Sequence, residues 1–124
     1  MARILIVDDS ITMIEAHKAI LEGFGHTVYS AQSGEEGVEK AIEILPDLIL
    51  MDIVMPNMNG FQATRKITKD ERTKHIPVVI LSTKDQETDI IWGKKQGAKG
   101  YLVKPVDKKE LASTIDQLLE EANQ

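Results

Sequence analysis

At 124 residues the chain has the length of one ordinary domain, enough to bury a core without help from metals or disulfides. It contains no cysteine, which excludes disulfides, thiolate metal sites and a cysteine nucleophile and fits a reducing compartment, the cytoplasm being the simplest address. A formal charge of -5 opposes general attraction to nucleic acid or an anionic membrane, so neither is expected as a partner.

Apolar runs of strand length alternate with segments of helical period, which predicts five βα rounds and a parallel sheet covered on both faces. Met1-Ala2-Arg3 runs straight into the first strand, Arg3 to Val7, with no charged n-region and no long apolar h-region, and no stretch approaches membrane-spanning length. Ile11, Ile14, Leu21 and Phe24 outline the first helix, which Gly23 and Gly25 end. After a second strand, Thr27 to Ala31, Ser33 and Glu36 form a capping box. Val38, Ala41, Ile42 and Leu45 then keep i, i+3, i+4, i+7 spacing until Pro46 stops the helix.

The third strand is Leu48 to Met51, and Pro56, Asn57 and Gly60 read as a turn before a helix outlined by Phe61, Thr64 and Ile67. The fourth strand is Val78 to Leu81. In the helix that follows, about Gln86 to Gln96, the consecutive Ile90, Ile91 and Trp92 must spread over about 200° of the helix circumference. They cannot all face one sheet: Trp92 either lies flat over its neighbours or belongs to a partner-binding surface. Gly100 to Val103 is the fifth strand, and Asp107 with Glu110 caps a last helix carrying Leu111, Thr114, Ile115, Leu118 and Ala122. No linker, repeat or second domain is visible, so the expectation is a single domain over residues 1–124 with no attached output.

Three acids stand at strand ends: Asp8 and Asp9 after the first strand, and Asp52 after the third. In a doubly wound sheet, ligands bind beyond the carboxyl ends of the strands, so these acids are expected to form one site. Two carboxylates about 4 Å apart repel by roughly 4 kcal/mol at an effective dielectric of 20, and a divalent cation relieves that conflict. Oxygen-only ligands favour Mg²⁺ or a similar hard ion, which in turn suggests phosphate. Ser82 and Lys104 end the fourth and fifth strands and supply a hydroxyl donor and an ammonium. Asp52 would then attack phosphorus, Asp8 and Asp9 would hold the metal, and Ser82 and Lys104 would receive the charged product. His17, His26 and His75 are too scattered to make a metal set, and the lysine-rich stretch Lys94, Lys95 and Lys99 is either a solvated face or a surface for an acidic partner.

Val7-Asp8-Asp9-Ser10, Met51-Asp52-Ile53-Val54-Met55-Pro56, Asn59-Gly60 and Lys104-Pro105 resemble the receiver domain of bacterial two-component response regulators. The resemblance covers essentially the whole chain. Thr83 to Ala98 and Gly60 to Arg65 further resemble stand-alone receivers of chemotaxis-like systems governing type IV pili and twitching motility. The resemblance implies a flavodoxin-like (βα)5 fold with strand order 2-1-3-4-5. It also implies phosphoryl transfer from a histidine kinase to Asp52, with Mg²⁺ held by Asp9, Asp52 and the backbone carbonyl of Val54, and Asp8 acting partly through water. Ser82 would turn inward to the phosphate and Tyr101 would follow, moving the surface read by a downstream signalling or motility protein. A monomer or weak dimer is expected, and Lys104-Pro105 is a candidate cis peptide.

Val54 and Lys84 occupy places where many receivers carry groups that orient the hydrolytic water, so slow self-dephosphorylation is expected. Two rival readings follow from the same site. A haloacid-dehalogenase-like phosphatase also uses an aspartyl phosphate, but wants a second acid where Val54 stands. A flavin mononucleotide binder wants a hydroxyl- and glycine-rich loop where Asp8-Asp9-Ser10 stands.

Overall fold

A computed structural model describes residues 1–123 of the chain. The strands β1 (Arg3–Val7), β2 (Thr27–Ala31), β3 (Leu48–Met51), β4 (Val78–Ser82) and β5 (Gly100–Val103) form one parallel sheet. Their order is β2-β1-β3-β4-β5, so strand order reverses beside β1. The helices α1 (Ile11–Gly23), α2 (Gly34–Ile44), α3 (Gly60–Lys69), α4 (Glu87–Lys95) and α5 (Lys108–Ala122) supply the crossovers. The doubly wound, flavodoxin-like architecture and the strand order expected from the sequence are both present.

Alternation along the buried strands sends successive side chains to opposite faces. Ile4, Ile6, Leu48, Leu50 and Leu81 meet Ile14 and Leu21 of α1 and Leu111 and Ile115 of α5. Leu5, Val7, Ile49, Met51 and Val78 meet Ala41 of α2 and Ala63 and Ile67 of α3. Each fully buried aliphatic side chain contributes about 1.5–3 kcal/mol of transfer free energy, so two such layers anchor the strand ends firmly.

Sequence periodicity misplaces several helix-end residues. Ile11 and Phe24 lie outside the α1 stripe, 60% and 48% exposed, because Ile11 begins the helix and Phe24 is its C-cap. The buried positions of α1 are Ile14, His17 and Leu21. Leu45 leaves the α2 stripe for the same reason: it caps the helix at a left-handed φ of 50° and is exposed. Ala122, on the last turn of α5, is also exposed.

The caps follow the sequence more closely. Ser33 accepts from the Glu36 backbone N–H, but the Glu36 carboxylate accepts from the Gln32 N–H, one residue earlier than a closed capping box requires. Asp107 accepts from the Glu110 N–H. Asn59 and Gln62 make a full reciprocal box that starts α3 directly after the turn. In that turn Asn57 takes a φ of 67°, which asparagine tolerates better than most residues.

Within α4, the residue that meets the sheet is Gly93. A β-carbon there would lie 2.6 Å from Ile80 Cδ1 and 3.2 Å from the Tyr101 ring. The consecutive Ile90, Ile91 and Trp92 therefore splay as the helix geometry requires, with Ile91 and Trp92 about half exposed.

Candidate functional site

The sheet ladder itself places the site. The Asp8 N–H donates to the Ala31 carbonyl, the Asp52 N–H to the Val7 carbonyl, and the Lys104 N–H to the Ser82 carbonyl. Val7 is in register with Met51, and Ser82 with Val103, so the residues that follow emerge on one rim of the sheet. This rim lies at the carboxyl ends of the strands, beside the reversal in strand order.

There the carboxylates of Asp8, Asp9 and Asp52 offer oxygens that all lie within 4.8 Å of one another. Asp8 and Asp52 are buried and Asp9 is exposed. Three hard oxygen donors open to solvent on one side fit a Mg²⁺ ion that retains water ligands. The Lys104 ammonium sits 2.7 Å from Asp8 Oδ2 and 3.8 Å from Asp52 Oδ1. Asp8 Oδ1 accepts from the Ser10 N–H at 2.9 Å. Both Asp8 oxygens are thus engaged, whereas Asp9 faces solvent.

Burial pushes the Asp52 carboxyl above its usual range, Lys104 pulls it back, and Asp8 adds to the rise. A buried carboxylate whose charge is only partly compensated is the group that gains most from a cation or from esterification. Val54, two residues on, is 55% exposed.

Ser82 is fully buried, and its hydroxyl accepts from the Lys84 N–H at 3.3 Å. Tyr101 is half-buried against Ile80 and donates its O–H to the Lys84 carbonyl at 2.7 Å. One peptide residue therefore touches both side chains named from the sequence as a pair. Burial raises the Tyr101 phenol to about 12, so it acts as a neutral donor at physiological pH. Lys104-Pro105 is cis.

Two residues that the sequence marks only as part of a turn (Gly60) and as one of three scattered histidines (His17) take supporting positions at the site. Gly60 lies against the backbone of the acceptor strand: its N–H donates to the Ile53 carbonyl, and a β-carbon would overlap the Asp52 carbonyl oxygen. Its place one residue after a helix cap is a visible signal for a close approach, but the partner is not. His17 is buried on α1 with Nδ1 lacking a partner among the described residues, within electrostatic reach of Lys104 and Asp8. Only its period with Ile14 and Leu21 marks it.

Desolvation, and then Lys104, lower the pKa of His17 below its usual value. The folded state therefore takes up this proton less readily than the unfolded chain. Its stabilising contribution is complete above the unfolded pKa of about 6.5 and declines as pH falls through that value. His26, whose Nδ1 accepts from the Ala2 N–H, is lowered in the same direction. Denaturant melts between about pH 7 and pH 5 should show less loss of stability in His17→Leu than in the parent, with the residue left by His26. Parallel losses in the two proteins would contradict this assignment.

Among the described residues, no helix is long and apolar enough to cross a membrane. Residues 4–116 match the family described as the response regulator receiver domain. Over 119 residues the chain is 58% identical to Protein PilH of Pseudomonas aeruginosa, covering 96% of this chain and 98% of that protein. It is 38% identical to the DNA-binding transcriptional regulator RpaA of Synechocystis, covering 96% of this chain but only 49% of the regulator. Among solved structures, the chemotaxis protein CheY4 of Vibrio cholerae aligns with a TM-score of 0.89 at 33% identity, covering 95% of this chain and 98% of that one. A CheY-like receiver from Methanospirillum hungatei aligns with a TM-score of 0.92 at 29% identity, covering 99% and 97% of the two chains. The chain belongs to the receiver domain family of response regulators.

Proposed function

We propose that this chain accepts a phosphoryl group on Asp52 from a histidine kinase and signals through protein contacts. The observation that carries this reading is the meeting of Asp8, Asp9, Asp52 and Lys104 on one sheet rim. An Asp52 carboxylate oxygen forms the new O–P bond while the P–N bond to the kinase histidine breaks, leaving the imidazole as product. Asp9, Asp52 and the Val54 carbonyl would hold Mg²⁺, with Asp8, already bound by Lys104 and Ser10, acting partly through water. Bound there, Mg²⁺ supplies positive charge that offsets the phosphoryl oxygens.

Lys104 pairs with Asp8 and lies close enough to Asp52 to pair with an oxygen added there. Ser82 would turn its hydroxyl to the phosphoryl group, giving up the Lys84 N–H, and Tyr101 would follow by losing its hold on the Lys84 carbonyl. Such a switch needs only a modest bias between two existing states. The likeness to Protein PilH, which spans 98% of that protein, supports a stand-alone receiver in chemotaxis-like control of type IV pilus twitching motility; action as a cytoplasmic monomer or weak dimer is part of the same proposal. It would act on a downstream motility or signalling protein. A phosphate-sink role in that system uses the same residues and is distinguished by whether a phosphorylated chain binds any target.

The test is phosphotransfer from candidate histidine kinases with Mg²⁺ and with EDTA. Transfer that requires the metal supports the reading, and equal labelling with EDTA contradicts it. Steady turnover of small phosphate esters would favour a haloacid-dehalogenase-like phosphatase instead, although Val54 leaves that mechanism without its second acid.

The exposed Val54 side chain cannot hydrogen-bond a hydrolytic water. Val54→Asn is therefore expected to shorten the phospho-Asp lifetime by about tenfold, equivalent to about 1.4 kcal/mol of barrier. The decay of trapped phosphoprotein measures this. An unchanged lifetime would remove Val54 from the account.

A further inference from the structure

At the amino ends of β4 and β5, opposite the acidic rim, lies a cavity of about 470 Å³, within the volume range of functional pockets. Lys74 and Lys99 give it two basic groups against the single acid Glu121, and Ile76, Pro77 and Leu118 give it an apolar floor. The charge is local and opposite in sign to the chain's formal net charge of -5.

The basic character continues beyond the cavity. The last turn of α3 carries Lys66 and Lys69, and the last turn of α4 carries Lys94 and Lys95. Helix dipoles account for cations at those two ends. They do not account for Lys74 and Lys99, which stand outside the helices. Among the described residues, Lys69, Lys95 and Lys99 make no ion pair, and the exposed Lys74 pairs only with the exposed Glu71. An exposed pair of this kind costs little to exchange for another carboxylate.

The wall of the cavity is fixed in advance. The Thr68 hydroxyl donates to the Gln96 carbonyl at 2.7 Å, and Gly97, at a φ of 103°, packs so closely that a β-carbon would lie 2.7 Å from Thr68 Oγ1. A surface that need not be ordered on binding loses less affinity to entropy.

We propose that this cavity docks an acidic segment of a partner protein, its carboxylates meeting Lys74 and Lys99 and an apolar side chain resting on Ile76, Pro77 and Leu118. The apolar floor gives nothing to a polyphosphate, whereas a protein segment can rest an apolar side chain there and turn its acids toward Lys74 and Lys99 and away from Glu121 on the rim. A peptide that alternates acids with an apolar anchor satisfies both parts of the lining.

The test titrates the full chain with a short glutamate-rich peptide carrying a central leucine, and with its glutamine counterpart, following amide resonances. Shifts clustered at Thr68, Lys74, Gly97 and Lys99, weakening with salt and absent for the glutamine peptide, are expected. Lys99→Glu should weaken binding by about tenfold or more, while phosphotransfer to Asp52 stays at the parental rate, which also shows the variant to be folded. Absence of binding, equal binding of the glutamine peptide, or no effect of Lys99→Glu would overturn the proposal. Tighter binding to duplex DNA or to phosphatidylglycerol vesicles would overturn it too. Loss of Asp52 phosphorylation in the parent chain would instead count against the proposed phospho-acceptor role and leave the cavity result standing.

Discussion

Asp52→Asn should abolish phosphoryl acceptance, reducing labelling by at least about a thousandfold, because the amide offers no anionic oxygen to attack phosphorus. The same change should leave the fold intact and raise stability at neutral pH by about 1 kcal/mol. The sign follows from burial, which raises the Asp52 pKa and so makes its ionised form less favourable in the folded than in the unfolded chain. Asparagine removes that charge, while Lys104 keeps Asp8 as its partner at 2.7 Å. Phosphotransfer and denaturant melts on one preparation measure both effects. A variant that labels normally would refute the acceptor assignment, and one that loses stability as well as labelling would show that Asp52 holds the fold together.

Gly60→Ala is expected to destabilise the chain by roughly 2–4 kcal/mol and to slow phosphotransfer with it. The added methyl would overlap the Asp52 carbonyl oxygen and lie 2.8 Å from Ile53 Cα, and these are backbone atoms of the acceptor strand end, which cannot rotate away as a side chain could. Helix propensity alone argues the other way, favouring alanine by about 1 kcal/mol at a helical position. The steric term wins because the obstacle is the segment that carries Asp52. Gly23→Ala is the control: nothing stands within 4 Å of a β-carbon there, so propensity should act unopposed and the variant should be neutral or slightly more stable. Thermal melts of the two variants decide the matter, and a stable, fully active Gly60→Ala protein would contradict the packing described here.

The parts of the fold that were legible in sequence are those dictated by local rules. Runs such as Ile4-Leu5-Ile6-Val7 and Leu48-Ile49-Leu50-Met51 are apolar on both faces because helices cover both faces of the sheet, and their limits match β1 and β3 closely. Ser33 and Asp107 mark helix starts because their side chains satisfy free backbone N–H groups, whereas the Asn59 cap of α3 emerges only in the structure. Legibility fails at helix ends. Leu45 keeps the apolar period, yet its left-handed backbone turns it to solvent, and periodicity carries no information about where the helix stops.

The candidate site divides along the same line. Asp8, Asp9, Asp52, Ser82 and Lys104 stood out because each ends a strand, and parallel register brings strand ends together. The tight Lys104 to Asp8 pair spans ninety-six positions, and no local pattern encodes which acid the ammonium prefers. The shared Lys84 backbone, whose N–H meets Ser82 and whose carbonyl meets Tyr101, and the burial of His17 near Lys104, likewise depend on tertiary packing.

The most direct test of the central claim is to phosphorylate the chain with a small-molecule phosphodonor and Mg²⁺, reduce the acyl phosphate with borohydride, and locate the modified residue by peptide mass spectrometry. Reduction of an aspartate to homoserine is expected at position 52 and nowhere else. Homoserine at position 8 or 9, or a stable phosphate ester at Ser82, would contradict it.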